Sequence, residues 1–125
     1  MATDSGQNSF RRGVMSLVIL GLLKKEDMYG YQLSQELEIR SKGLFLLQEG
    51  SMYPTLYRML EKGLVSDRIE KVGKRRTRVY YHIEPKGVEY LKTIKREYCS
   101  LNRGVLNVLG IAKLEELLDD NDNET

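Results

Sequence analysis

The sequence predicts a mainly α-helical fold with a small β-hairpin, in which three helices precede the hairpin and one long helix follows it. Apolar residues recur at steps of three and four over residues 9–24, 29–41 and 51–62, which is typical of amphipathic helices. Between residues 64 and 83 the period changes to two around Gly73, as expected for two strands and a turn. The helical period returns after Pro85, so one helix is expected to reach about Leu109.

Residues that start or stop helices mark the ends of these elements. Ser9 is expected to cap the first helix, which leaves residues 1–8 as a disordered N-terminus. Ser51 is expected to cap the third helix, and Gly63 is expected to end it. Pro85 suits the first turn of the fourth helix, because the N–H that proline lacks has no helical partner there.

Charge is unevenly distributed along the chain. The net charge is +2, but six of the 18 acidic residues and none of the 20 basic ones lie in residues 115–125, so residues 1–114 carry +8. We therefore expect an acidic, disordered tail over residues 119–125 and a basic body. A basic body is compatible with a polyanionic partner, although solvated basic faces are also common in proteins without one.

The composition gives little support to catalysis, metal binding or membrane insertion. Cys99 is the only cysteine and His82 the only histidine, so no metal-ligand cluster or catalytic triad can be assembled from them. Glycine-rich phosphate loops are also absent from the sequence. The apolar run from Val14 to Leu23 has ten residues, fewer than the roughly 18 needed to span a bilayer. We expect a cytoplasmic protein without enzymatic activity, cofactor or metal.

The third helix has an outer face suited to a nucleic-acid groove. Small hydroxyl residues permit close approach, a tyrosine can donate to a phosphate, and an arginine can reach a phosphate or a guanine edge. The candidate DNA-contacting residues on this face are Ser51, Tyr53, Pro54, Thr55 and Arg58. The alternative is an ordinary surface face with tyrosines that are partly in the core.

The hairpin concentrates positive charge. Five cations fall within eight residues, namely Lys71, Lys74, Arg75, Arg76 and Arg78, and no acidic residue lies between Lys71 and Ile83. Contacts to DNA phosphates would relieve the mutual repulsion of these cations, whereas a merely solvated turn would not. A helix pair followed by a basic hairpin is the order of a winged helix-turn-helix, which we assign to residues 9–84, with double-stranded DNA as the expected partner.

The last helix is amphipathic over its whole length and is expected to form a homodimer. Its apolar positions step by three and four, which gives one continuous stripe. The expected dimerisation residues are Val88, Leu91, Ile94, Tyr98, Leu101 and Val105. We assign residues 85–118 to this dimerisation segment, because a domain of this size gains stability by pooling apolar surface with a second copy.

Several sequence blocks, in this order, resemble those of the PadR-like transcriptional regulators. They are Tyr29-Gly30-Tyr31, Gly43-Leu44-Phe45, Glu49 to Pro54, Leu56 to Arg58, Glu61 to Val65, and Gly73 to Arg76 followed by Tyr80-Tyr81. The single long C-terminal helix is similar to that of the smaller subfamily. The resemblance implies a bacterial regulator, in most members a repressor, whose dimer binds a near-palindromic operator. It also implies DNA contacts from residues 51 and 53–55, from residues 74–76, and from Tyr31 to a phosphate.

The resemblance also suggests a position for an effector. In multidrug-binding relatives a tryptophan on the last helix stacks on flat ligands, and the matching residue here is Tyr98. A tyrosine can stack on an aromatic ligand, but an aromatic residue at such a position more often packs in a dimer interface. Two alternatives to a simple DNA-binding regulator therefore stay open: a drug-responsive sensor with a small aromatic effector, and a winged-helix protein-interaction module without DNA binding.

Overall fold

The computed structural model describes residues 2–45, 49–113 and 115, with the side chains of residues 2–12 and 49–51 outside that description. The elements are α1 (Ala2–Leu23), β1 (Met28–Tyr29), α2 (Gly30–Arg40), α3 (Glu49–Glu61), β2 (Val65–Val72), β3 (Arg76–Ile83) and α4 (Pro85–Leu109). The chain divides into two compact units, which we call the head unit (residues 1–92) and the arm unit (residues 93–125). The boundary between them falls within α4.

The helix starts differ from the sequence prediction at two places. Helix α1 begins at Ala2, so the prediction that residues 1–8 are disordered and that Ser9 caps the helix is wrong for residues 2–8. Polar residues cost less than about 0.7 kcal/mol each in a helix, and a helix already formed by an apolar segment extends through them cooperatively. Helix α3 begins at Glu49, two residues before the predicted cap at Ser51.

The end of α4 at Leu109 agrees with the prediction. Gly110 follows the helix with a φ of 72°, in the left-handed region that glycine adopts without strain. Residues 110–113 are not helical, so α4 itself ends at Leu109 within the described part of the predicted 85–118 segment. Residues 114 and 116–118 of that segment, and the acidic tail over residues 119–125, lie outside the described residues.

The sheet has three antiparallel strands rather than the two that the sequence predicted. Its order is β1-β3-β2, and β1 pairs with β3 through Met28 with Tyr81 and Tyr29 with Tyr80. A strand of two residues has no detectable period, which is why the sequence indicated only a turn there. We call β2, β3 and the turn at residues 73–75 the wing.

One core holds the helices of the head unit against the sheet. Helix α1 packs against α2, α3 and β3, and α3 packs against β2. The buried side chains are aliphatic or methionine for the most part, and include Ile19, Leu20, Leu33, Met52 and Leu56, together with Tyr81 and Ile83 from β3 and Leu91 from α4. These contacts fix α3 on one side of the sheet, with the wing beside it.

The first turn of α4 lies directly on the chain segment before β2. A Cβ added at Gly87 would overlap the backbone carbonyl oxygen of Leu64 and lie 2.9 Å from Cγ1 of Ile83. Only a residue without a side chain permits this approach. Gly87 therefore allows the first turn of α4 to pack directly against the backbone at Leu64.

Candidate nucleic-acid interface

Helix α3 presents a mixed polar and aromatic face to solvent. Met52, Leu56 and Met59 are buried in the core, whereas Pro54 and Tyr57 are exposed. Arg58 is partly exposed at the last turn. The side chain of Ser51, also predicted to contact DNA, lies outside the described residues.

Thr55 does not occupy the position that the sequence predicted. Its exposed fraction is 0%, so the prediction that it faces a nucleic-acid groove is wrong. Thr55 lies at the boundary between the buried and the exposed face of α3. It is three residues after Met52 and four before Met59, and it faces the core with them. Nη2 of Arg58 donates a hydrogen bond of 3.1 Å to the Thr55 hydroxyl oxygen. Thr55 therefore orients the guanidinium of Arg58 rather than contacting a ligand itself.

Tyr53 is half-buried, and the end of its ring lies on the first residue of α2. A Cβ at Gly30 would overlap the Tyr53 hydroxyl oxygen and lie 3.0 Å from Cζ. Gly30 is buried. The phenol therefore packs α3 against the start of α2, a contact between the two helices that the sequence prediction of a phosphate contact did not include.

Two tyrosines in this region are accessible. Tyr31, in the first turn of α2, is exposed, and its contact with a phosphate stays a prediction. Tyr57 was not predicted, yet its ring is exposed on α3 with its centroid 6.1 Å from that of Tyr53. Its spacing of three residues from Pro54 would have placed it on the same outer face.

The wing carries unpaired positive charge. Lys71, Lys74, Arg75 and Arg76 are exposed around its turn. Within residues 13–45 and 52–113, where side chains are described, no carboxylate forms an ion pair with any of these four. Such charges repel one another and attract a polyanion.

Arg78 differs from the other cations of the wing. It is half-buried, and its Cζ lies 4.1 Å from the ring centroid of Tyr29. This cation–π contact fixes the guanidinium over β1. The Tyr29 ring in turn meets the edge of Tyr80, with centroids 5.5 Å apart. The DNA contact predicted for Arg78 stays a prediction, and its guanidinium would have to make that contact while packed on the Tyr29 ring or after leaving it.

An ion-pair network fastens the base of the wing. Asp27 accepts a 2.6 Å hydrogen bond from Nη1 of Arg68, and Nδ1 of His82 lies 2.7 Å from its other oxygen. Arg68 also pairs with Glu70 at 2.7 Å. Desolvation acts to raise the pKa of Asp27, but the hydrogen bonds and positive charges of His82 and Arg68 together outweigh it, so the pKa is lowered from 3.8. The network joins the turn before β1 to both wing strands.

Comparison with known proteins identifies the family. The model of the transcriptional regulator PadR-like family matches residues 19–93, more than half of the chain. The chain belongs to the PadR-like family of transcriptional regulators. The resemblance and the fold class that the sequence predicted, a winged helix-turn-helix followed by a long C-terminal helix, are confirmed.

Three relatives illustrate the similarity. A transcriptional regulator from Clostridium thermocellum is 30% identical with a TM-score of 0.70, over 79% of this chain and 95% of that one. The Escherichia coli transcriptional regulator YqjI is 36% identical over 55% of this chain, which spans only 33% of YqjI. Bacillus subtilis PadR, solved in complex with operator DNA, shares the fold with a TM-score of 0.59 and 22% identity over 64% of this chain and 45% of that one.

In this PadR-like regulator the arm unit carries an apolar stripe on α4. Tyr98, Leu101, Val105 and Val108 are exposed, and their steps of three, four and three follow a heptad repeat. Val108 was not among the predicted dimerisation residues. Tyr98 lies on the stripe, so its ring is accessible to a second copy or an aromatic effector, and the effector stays a prediction.

Of the other predicted dimerisation residues, Val88 and Leu91 belong to the head unit and Ile94 belongs to the arm unit. Leu91 is only 2% exposed, so the prediction that it contacts a second copy is wrong: it packs in the core of its own head unit, because the first turns of α4 cover the sheet. Val88 and Ile94 are half-buried.

The described part of the PadR-like chain shows neither a metal site nor a membrane span. No group of three His, Cys, Asp or Glu side chains within it could hold a metal ion. None of its described helices is long and apolar enough to cross a bilayer.

Proposed function

We propose that this PadR-like regulator binds duplex DNA as a homodimer and represses transcription from a near-palindromic operator. The observation that carries the proposal is the juxtaposition, in one head unit, of the exposed side of α3 and four wing cations with no described ionic partner. A polyanion supplies the charges that the wing lacks, and the release of counterions from DNA favours the complex. Bacillus subtilis PadR, with operator DNA in its structure, has the same fold.

Each part of the head unit has a distinct role in the proposed complex. Helix α3 lies in the major groove, where Pro54 and Tyr57 face the bases, and Arg58 contacts a guanine edge or a phosphate. Tyr31 donates to a phosphate from the first turn of α2. The wing cations Lys74, Arg75 and Arg76 hold the flanking backbone, and contribute affinity rather than sequence preference.

The exposed stripe of the arm unit supports the dimer. Alternating steps of three and four residues favour packing against the same stripe of a second copy in a left-handed coiled coil. In a two-fold dimer, two α3 helices enter successive major grooves about 34 Å apart, and the operator therefore repeats its half-sites as a near-palindrome.

Selection of binding sequences from a pool of random duplexes tests the DNA-binding proposal. The full chain is expected to enrich two inverted half-sites separated by about one helical turn. Arg58→Ala is expected to relax the base preference at one position per half-site and to weaken binding there by about 1–3 kcal/mol. Arg40→Ala on α2, which removes an arginine that is paired with Glu36, is the matched control. Enrichment of no sequence, or equal effects of the two substitutions, would contradict the proposal.

Sedimentation of the purified chain tests the dimer separately. Wild-type protein is expected to sediment as a dimer, and Leu101→Asp with Val105→Asp is expected to give a folded monomer, because two carboxylates would be buried in the seam. Cys99 on the same helix allows a further check, since it is exposed and can carry a spin label. A wild-type chain that is monomeric at micromolar concentration would exclude the proposed assembly.

A further inference from the structure

The wing carries an apolar pair that the core does not use. Ile69 on β2 and Val79 on β3 are directly opposite each other in the antiparallel register. Their exposed fractions are 72% and 39%. Because side chains alternate between the two faces of a strand, both lie on the face that carries Tyr81 and, nearer the core, Ile83. We call Ile69 and Val79 the wing strip.

The face with the wing strip is the one turned towards α3. Tyr81 comes next to Val79 on this face and is buried. Burial raises the pKa of Tyr81 to about 12, and the nearby phenols of Tyr57 and Tyr53 add to the increase. Those two residues belong to α3, which also packs against β2. The wing strip therefore continues the α3 side of the sheet beyond the core.

The neighbours of the wing strip indicate what covers it. On the same face the next pair inward is Asp67 and Tyr81, and the next pair outward is Lys71 and Thr77, followed by the turn with Lys74 and Arg75. The cations therefore lie on the outer side of the strip, and the one acidic neighbour lies on its inner side. A protein interface ordinarily needs a larger apolar patch and is depleted in lysine. A DNA strand presents charged phosphates that alternate with apolar deoxyribose faces, which matches two aliphatic side chains next to a row of cations.

We propose that the wing strip packs against deoxyribose rings of the strand whose phosphates the wing cations hold. This inference rests on the proposed DNA binding and adds to it a contact whose contribution does not depend on salt. The cations contribute through counterion release, which weakens as salt rises. The aliphatic contact contributes through burial of apolar surface, which involves no counterions.

Strand formation alone does not require aliphatic residues at these positions. A cross-strand pair of threonines also stabilises an antiparallel hairpin, and threonine shares the β-branched shape that favours strands. Ile69→Thr with Val79→Thr therefore keeps the strand preference of the wing and replaces part of the apolar surface of the strip by hydroxyl groups.

Duplex affinity measured over a series of salt concentrations tests the inference. The double variant is expected to bind at least about tenfold more weakly at every concentration, because hydroxyl groups replace an ethyl group at residue 69 and a methyl group at residue 79, with the slope of log affinity against log salt unchanged. Ile69→Val is expected to weaken binding by no more than about fourfold, because it removes one methyl group and the side chain stays apolar. Ile39→Thr on α2 is the matched control, since Ile39 is 67% exposed, and is expected to change affinity by less than about twofold.

The remaining outcomes would overturn the inference. Unchanged affinity of the double variant means that the strip does not contact DNA. A reduced salt slope means that the substitutions displaced the cations instead. An equal loss in Ile39→Thr means that the effect is not specific to the wing. Unchanged DNA affinity with altered sedimentation assigns the strip to a contact between copies. Absence of duplex binding by the wild-type chain contradicts the proposed function itself, and is distinguished from the other results by that wild-type measurement.

Discussion

The contact between Gly30 and Tyr53 makes a quantitative prediction about how the two helices of the helix-turn-helix are joined. A Cβ at Gly30 would overlap the Tyr53 hydroxyl oxygen and lie 3.0 Å from Cζ and 3.1 Å from Cε1. In Gly30→Ala the ring must move out of its half-buried site, or α3 must shift. Overpacking of this kind costs about 1–3 kcal/mol. The smaller conformational freedom of alanine in the unfolded chain returns about 0.4–1 kcal/mol.

The expected net loss in the free energy of unfolding is therefore about 1–2 kcal/mol. In urea denaturation at fixed protein concentration, this corresponds to a decrease in midpoint of roughly 0.5–1 M with an unchanged slope. Gly30→Ala should cost less stability in variants whose side chain at residue 53 is smaller than tyrosine. Tyr53→Phe removes the overlapping oxygen but leaves Cζ, so the cost is expected to be intermediate. Tyr53→Leu removes the far end of the ring, and the cost is expected to disappear.

Gly21→Ala provides the control for this series. Gly21 lies within α1, and nothing lies within 4 Å of a Cβ added there. Alanine is preferred to glycine in a helix by up to about 1 kcal/mol, so this substitution should leave stability unchanged or increase it. If Gly30→Ala costs the same in the Tyr53, Tyr53→Phe and Tyr53→Leu backgrounds, the coupling energy is zero and the reasoning is refuted.

Three further predictions follow from other contacts in the head unit. Gly87→Ala should lower the free energy of unfolding by about 2–3 kcal/mol, because the new Cβ meets the backbone oxygen of Leu64, which cannot rotate away; an unchanged urea midpoint would contradict this. Lys42 has a φ of 58°, so Lys42→Gly should raise the free energy of unfolding by about 0.5–1 kcal/mol, because the relief of left-handed strain exceeds the added entropy of the unfolded chain. Thermal unfolding measures this, and a lower midpoint would disprove it. Asp27 has a folded pKa below 3.8, so its stabilisation is complete above that value and is lost as the pH falls through the folded pKa. Asp27→Asn should cost about 0.5–1 kcal/mol at pH 7, a value limited by the solvent exposure of the pair, and the difference from wild type should vanish in strong acid; a pH-independent difference would show that the ion pairs are not its cause.

The sequence predicted those features that leave a repeated local signature. The helix periods, the alternation over β3 and the step pattern of α4 each extend over eight or more residues, and the corresponding elements are present. The cations of the wing could be located for the same reason, since a hairpin turn is necessarily at the surface. Strand β1 is too short to have a period, and its pairing with β3 is decided by tertiary contacts.

The errors at the candidate site have a common physical origin. The helical period assigns a residue to a face of its helix, but it does not tell which other element that face packs against. Thr55 lies between Met52 and Met59 and is turned into the core, whereas Leu91 lies on the apolar stripe of α4 but packs in its own head unit instead of against a second copy. The contact of Tyr53 with Gly30 joins residues 23 positions apart, so no local pattern could reveal it. The one local indication of this contact was Gly30 itself, since a glycine in the first turn of a helix allows close approach by another side chain.

The central claim is that the wing cations bind the phosphates of duplex DNA, and the salt dependence of affinity tests it most directly. For the wild-type chain, log affinity for a duplex is expected to fall linearly with log salt concentration. Replacement of Arg75 and Arg76 by alanine should reduce that slope by about two, one for each lost phosphate contact. Wild-type affinity that does not respond to salt, or an identical slope in the double variant, would contradict the account.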